Sequence, residues 1–173
     1  MNSLDELIRD IPDFPKKGIV FKDITTLLGD VKGFKLAIEK MCEPFRSMHI
    51  DAIIGIESRG FIFGSPMALI LGTKFVPIRK KGKLPGKTLS KTYDLEYGSN
   101  TIEIHIDAIE SGENVLIVDD LLATGGTVRA AADLVQSMGG KLVGAAFLIE
   151  LLFLNGREKL SNIPVYSIIK YES

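Results

Sequence analysis

The chain predicts an α/β fold: a mostly parallel, twisted sheet flanked by helices. Three observations in its 173 residues lead there. Short apolar, β-branched runs alternate with stretches of helical periodicity, the order that winds a parallel sheet between helices. Two of those runs, at 52–56 and 115–118, are continuous instead of alternating, as strands covered on both faces must be. A hydrophobic content of 46% supports one domain with a real core, and no apolar run is long enough to cross a bilayer.

Near the N-terminus, Ser3 with Glu6 forms the pattern of a capping box opening a short helix. Phe34, Ala37, Ile38, Met41, Phe45 and Met48 recur at helical spacing, with Pro44 as a kink or early break. Strands are expected at 52–56, 75–79, 102–106, 115–118, 142–148 and 165–169, with helices at 61–71 and 128–138. The last helix carries Val128, Ala131, Ala132, Val135 and Met138 on one face, and Gly139-Gly140 stops it. Ile102, Ile104 and Ile106 alternate with Glu103, His105 and Asp107, which predicts a half-exposed, antiparallel strand at the flank.

The stretch 80–100 is long, polar and glycine-bearing, and such a connection inside a compact domain serves as a lid or a disordered insert. Its basic cluster and its acid–aromatic pair, Glu96-Tyr97, favour a flexible lid loop. A net charge of −1 gives no field to draw in polyanions, so nucleic-acid binding is disfavoured. The acidic start, Met1 to Glu6, lacks the apolar stretch of a signal peptide, and a cytoplasmic location is expected. The single cysteine, Cys42, lies among Met41 and Phe45 and is expected to pack in the core. His49 and His105 are expected to be solvated.

Chemistry concentrates at 114–127, where an apolar strand runs into Asp119-Asp120 and then into Ala123-Thr124-Gly125-Gly126-Thr127 before a helix. Free N–H groups at a helix start, with glycines allowing close approach, cradle a phosphate. Two acids just ahead would repel a bare phosphate, but they accept hydrogen bonds from hydroxyls. A ribose 5-phosphate presents both groups. The glycines are adjacent, so this is not a dinucleotide fingerprint, and no Gly-Lys-Ser/Thr follows, so it is not a P-loop. A plain strand–turn–helix capped by acids is the bland alternative.

A second loop, Glu57-Ser58-Arg59-Gly60, follows the strand at 52–56; Arg59 offers a planar fork suited to pyrophosphate oxygens. A third cluster, Arg79-Lys80-Lys81-Gly82-Lys83, supplies cations for a multiply charged leaving group, although most such runs are solvated faces.

The 114–127 motif resembles the phosphoribosyl pyrophosphate (PRPP) site of type I phosphoribosyltransferases. With the segment from Ile11 to Thr25, Leu95-Glu96-Tyr97-Gly98, Val76-Pro77-Ile78-Arg79 and Asn155 to Leu160, nearly the whole chain resembles the adenine-specific family among them. That resemblance implies a single domain, 1–173, with a hood segment at 1–32 and the lid at 80–100. It implies PRPP and AMP contacts at Asp119, Asp120, Ala123, Thr124, Gly125, Gly126 and Thr127. Pyrophosphate contacts fall at Glu57, Ser58, Arg59, Arg79, Lys80 and Lys83, some across a dimer interface, with a cis peptide at Ser58–Arg59. Val20, Phe21 and Lys22 would read adenine, largely through backbone groups. Two departures from the family's usual residues, Thr26 and Lys22, remove no backbone contact.

Glu96 and Arg59 are the candidate catalytic residues. Glu96 either takes the proton that adenine loses as N9 attacks C1′ or is only an exposed loop acid. The resemblance further implies adenine and PRPP as substrates, AMP and pyrophosphate as products, a homodimer, and Mg²⁺. That ion would be held by PRPP and water near Asp119 and Asp120, without a protein cage. Two rivals are an enzyme for 6-oxopurines, which would need a purine-facing lysine beyond Lys22, and a non-catalytic PRPP sensor. The second would need a DNA-binding domain or a strongly basic face.

Overall fold

The computed structural model describes residues 3–94 and 98–173, which form two compact units, Met1–Lys40 and Met41–Ser173. In the first unit a 3-10 turn at Leu4–Leu7 leads into β1 (Arg9–Ile11), which pairs antiparallel with β2 (Phe21–Asp23). The expected capping box does not form: the Ser3 hydroxyl bonds to Asp5, and only its carbonyl takes the Glu6 N–H. A four-residue turn has too few orphan donors to need both arms of that box. Between the strands, Asp13 and Gly18 adopt positive φ, the Phe14–Pro15 peptide is cis, and Asp13 accepts the Gly18 N–H at 2.7 Å. This turn leads directly into the short extended piece β2.

Cross-strand charge pairs fix that ribbon, with Arg9 on Asp23 and Lys22 on Asp10 at 2.7 Å. Asp23 also accepts the Thr25 N–H and hydroxyl, and these bonds with Arg9 hold its pKa at about 2. The chain then forms α1 (Thr25–Gly29) and α2 (Val31–Cys42). Helix α2 gives way to a 3-10 turn at Glu43–Phe45 with Pro44 in its first turn, the early break expected there.

The second unit is built on a seven-stranded sheet. Its strands are β3 (Ala52–Ile56), β4 (Lys74–Lys80), β5 (Thr88–Asp94), β6 (Ser99–His105), β7 (Asn114–Leu122), β8 (Lys141–Leu151) and β9 (Val165–Tyr171). They lie in the order β5-β6-β4-β3-β7-β8-β9. The five from β4 to β9 are parallel, and β6 joins both β4 and β5 antiparallel. Helix α3 (Arg59–Leu71) packs on β3, β4 and β7, and α4 (Gly126–Ser137) on β5, β7 and β8.

The continuous apolar runs follow from that sandwiching. Ala52, Ile54 and Ile56 join the cluster with Val128, Ala131 and Val135 of α4, while the alternate residue Ile53 lies toward Gly64 of α3. Each fully buried Ile or Val contributes roughly 1.5–3 kcal/mol, so β3 and the first half of β7 anchor the unit. Cys42 is buried in the core as expected.

Two expectations change. About half of 80–100 is strand rather than irregular loop: β5 and β6 pair antiparallel, and β5 seats on α4 through Lys91–Asp133 at 3.0 Å. Few apolar and β-branched side chains hid β5, because most of its positions are solvated. On β6, Glu103 is 7% exposed where the alternation predicted an open face; its carboxylate takes the Gly82 N–H at 3.0 Å. His105 is also anchored, with Nε2 2.7 Å from the Pro85 carbonyl oxygen.

Candidate active site

The site lies at the C-terminal ends of β3, β4 and β7, where loops leave an open parallel sheet and ligands characteristically bind. Strand β7 outruns β3: pairing with β3 ends at Val118, while pairing with β8 continues to Leu122. The strand thus carries its two acids past the point where its β3 neighbour turns away. Into the gap falls the turn Glu57–Gly60, with a cis peptide at Glu57–Ser58. The cis bond therefore sits one residue earlier than the expected Ser58–Arg59.

Glycines set how close the layers come. A Cβ on Gly60 would stand 2.7 Å from the Val118 carbonyl and 3.0 Å from Asp119 Oδ1, so only glycine lets this turn press on the strand end. Gly55 and Gly64 meet Phe75 in the same way, at 2.7 and 2.9 Å, and close approach, rather than turning, accounts for Gly55. Arg59 begins α3 and forms an ion pair with Asp120, Nε to Oδ2 at 3.0 Å. That oxygen is buried and has no aligned hydrogen-bond donor among the described residues.

A cleft of 380 Å³ opens here, lined by Glu57, Ser58, Arg59, Lys80, Asp119, Asp120 and Thr127, together with Ile56, Tyr93 and Asn100. Burial pushes the Asp119 carboxyl well above its usual range, and the Asp120 charge beside it adds to the rise. Burial likewise raises Asp120, with Arg59 opposing. Glu57 behaves differently. Burial would raise it, but the Lys80 N–H at 2.9 Å and Arg79 Nε at 3.1 Å hold it below the usual value. The Glu57 side chain thus fixes the basic strand end instead of facing the cleft unpaired, and Arg79 also reaches the Lys83 carbonyl at 3.4 Å.

After β7, Gly125 takes φ +78° and opens α4 with no side-chain cap. Its carbonyl accepts from Arg129, and no hydrogen bond among the described residues takes the N–H of Gly126, Thr127 or Val128. Three donors and the positive end of the helix dipole are left for an anion. The Thr127 hydroxyl donates to the Tyr93 hydroxyl at 3.0 Å, tying the hairpin to this loop.

The fold thus gathers the turn at 57–59, Lys80, both acids and Thr127 around one cleft, with Ala123 to Gly126 in the adjoining loop. Val20, Phe21 and Lys22 belong to the first unit, where Lys22 is 8% exposed and Val20 48% exposed. Glu96 and Tyr97 lie outside the described residues. Tyr93, Asn100 and Glu103 were not foreseen; only their neighbourhood to a basic cluster could have marked them. A larger cavity of 430 Å³ sits where β3 and β4 begin, lined by His49, Asp51 and Lys74 among others. It has no glycine-led helix start, and His49 there, 3.0 Å from Asp51, is largely solvated.

Residues 28–172 match the phosphoribosyl transferase domain. An adenine phosphoribosyltransferase of Halothermothrix orenii is 58% identical over 167 residues, 96% of this chain and 98% of that one. The chain belongs to the adenine phosphoribosyltransferase family. A crystal structure of the Thermoanaerobacter pseudethanolicus enzyme of this family superposes with a TM-score of 0.94 at 53% identity, over 98% of this chain and 100% of that one. The Saccharomyces cerevisiae enzyme, complexed with an imino-altritol bisphosphate and adenine, gives 0.89 at 45% identity over 95% of each chain.

The acid pair carries a stability consequence. A carboxyl whose native pKa lies above its unfolded value weakens the fold as pH rises through that interval, because the native state must give up a proton it holds more tightly. Asp119→Asn removes that cost. Its Tm should exceed the parent's at about pH 8 by a few degrees, since each kcal/mol moves a domain of this size by about 2–4 °C. The gap should close as pH falls toward about 4, the unfolded aspartate value. Thermal melts across that range test this, and a lower Tm at the alkaline end would contradict it.

Proposed function

We infer that the chain transfers the 5-phosphoribosyl group of PRPP to N9 of adenine, giving AMP and pyrophosphate in purine salvage. One observation carries the reading: a half-buried and a buried acid, Asp119 and Asp120, near the end of β7 lead within a few residues into an uncapped, glycine-led helix start. Hydroxyl acceptors beside an anion cradle match a ribose 5-phosphate. The yeast relative's complex with a sugar-like bisphosphate and adenine supports the same ligand chemistry.

In this assignment Gly125, Gly126 and Thr127, with Ala123 and Thr124, hold the 5-phosphate, and Asp119 and Asp120 accept from the ribose hydroxyls. Arg59, Ser58 and Lys80 face the pyrophosphate, with Arg79 and Lys83 behind them and Glu57 fixing the Arg79 side chain. Loss of pyrophosphate places negative charge on the leaving oxygen as positive charge builds at C1′. Preorganised cations therefore stabilise the transition state more than the ground state.

The residues fit Mg²⁺ delivered with PRPP. Asp120 Oδ2 lacks an aligned donor and lies in the cleft beside Asp119, so an acid is open toward a cation brought by the ligand. When bound, the ion supplies charge neutralisation at the phosphate oxygens and keeps most of its water.

Adenine is read by the 1–32 segment, with backbone groups of Val20, Phe21 and Lys22 at the ring. A lysine reading a 6-oxo group is disfavoured, because the Lys22 ammonium is held by Asp10. The 80–100 segment acts as the lid that excludes water, in a single functional domain of 1–173. Two copies form the working unit, consistent with Leu69, 84% exposed, and Ile70 on the outer part of α3. Among the described residues no helix is long and apolar enough to cross a membrane. Cytoplasmic location is part of the reading that the family resemblance supports.

Offering PRPP and Mg²⁺ with adenine, hypoxanthine, guanine and xanthine separately should give nucleotide from adenine alone. Turnover of a 6-oxopurine would overturn the base assignment, and PRPP binding without turnover would favour the sensor. If Glu96 takes the N9 proton, Glu96→Gln lowers kcat by about 100-fold or more. A rise confined to the KM for adenine would make it an orienting residue instead.

A further inference from the structure

The turn from Asn155 to Leu160, which follows β8, is part of the family likeness and has no role assigned above. The structure sets it directly against the phosphate loop. A Cβ on Gly156 would collide with the Ala123 carbonyl oxygen, and one on Gly125 with the Gly156 carbonyl oxygen, so backbone meets backbone with no side chain between. The turn is a 3-10 segment, Gly156–Leu160, closed underneath by Leu160 at 1% exposure.

Its placement is pinned by an arginine bound to a buried carboxylate. Arg157 binds Glu150 through both arms, Nε to Oε1 at 2.5 Å and Nη2 to Oε2 at 2.7 Å. Ser167 donates to the same carboxylate, and Arg157 also reaches the Val165 carbonyl at 3.2 Å. Glu150 is 2% exposed, so releasing Arg157 would strand a buried charge. The turn is therefore a rigid bracket on β8 and β9.

The bracket carries an ammonium to the loop. Lys159 Nζ stands 3.9 Å from where a Cβ on Gly126 would be, over the first residue of α4. The cradle, Ala123 to Thr127, contains no cation of its own, and two acids precede it. Nearby cations are engaged elsewhere: Arg129 and Lys91 both bind Asp133. Lys159 has no ion pair among the described residues. A sugar phosphate carrying nearly two charges at neutral pH needs such a partner.

We propose that Lys159 is a phosphate-binding residue of this site, closing the cradle of Gly125, Gly126 and Thr127 on the 5-phosphate of PRPP and AMP. The Glu150–Arg157 pair is the positioning device that holds it there. The proposal rests on the assignment of the 5-phosphate to that loop.

Calorimetric titration with ribose 5-phosphate at about pH 8, where the phosphate is a dianion, tests it on the full chain and on Lys159→Gln, Lys159→Arg and Thr127→Val. Lys159 is exposed, so its variants should melt with the parent. Lys159→Gln should weaken ribose 5-phosphate about tenfold or more, and Lys159→Arg should restore most of the affinity. The KM for PRPP should rise in Lys159→Gln while the KM for adenine stays within about twofold, a split that a merely structural role would not give. Unchanged affinity in Lys159→Gln with loss in Thr127→Val would overturn the lysine's role and leave the loop assignment standing. Unchanged affinity in both would overturn the proposal and remove the Thr127 hydroxyl from the cradle as well.

Discussion

Asp119 and Asp120 stand side by side at the end of a strand buried on both faces, and the rest of the site is arranged around keeping them there. Burial lifts both carboxyls above their usual range, and the Asp120 charge adds to the rise at Asp119. Arg59 offsets part of that cost through its ion pair with Asp120. The arginine can do so only because α3 starts within contact of the β7 end, and that contact exists only because residue 60 is glycine. A site poised this way is held in tension until a ligand brings hydroxyl donors and cations to the acids.

The same logic of backbone approaching backbone recurs on the far side of the cleft. There the 123–127 loop leans on the Gly156 turn, and the bond of Arg157 to the buried Glu150 keeps that turn from drifting. The glycine-led helix start is thus braced by one ion pair, and the basic end of β4 by another, Glu57 on Arg79. In both cases a carboxylate is spent on holding a loop. This lets the basic strand end carry an acid without repelling the substrate. The Tyr93–Thr127 bond adds the hairpin to the arrangement, so a residue of the cradle also senses where that hairpin sits.

The parallel core was legible because burial on both faces writes a continuous apolar run, as at 52–56 and 115–118. The cradle was legible because few folds place acids, small residues and a helix start in that order. What stayed hidden lacked local signals. Strand β5 carries a solvated face and alternates little, so it passed as loop. Glu103 looked exposed by its place in the alternation, yet the 80–83 turn folds over it. Gly156 gave no hint of its contact with Ala123, because that contact joins residues 33 positions apart in sequence. The β7 strand extends through the acids to Leu122, since pairing with β8, not hydropathy, sets where it stops.

The central claim is that the open N–H groups at the start of α4 receive the phosphate of the nucleotide. Amide chemical shifts of ¹⁵N-labelled protein, followed on titration with AMP and in parallel with adenosine, test it most directly. The account predicts large downfield movement of the Gly126 and Thr127 amides with AMP that adenosine does not produce. Equal movement with both ligands, or movement with AMP that leaves those amides in place, would contradict it.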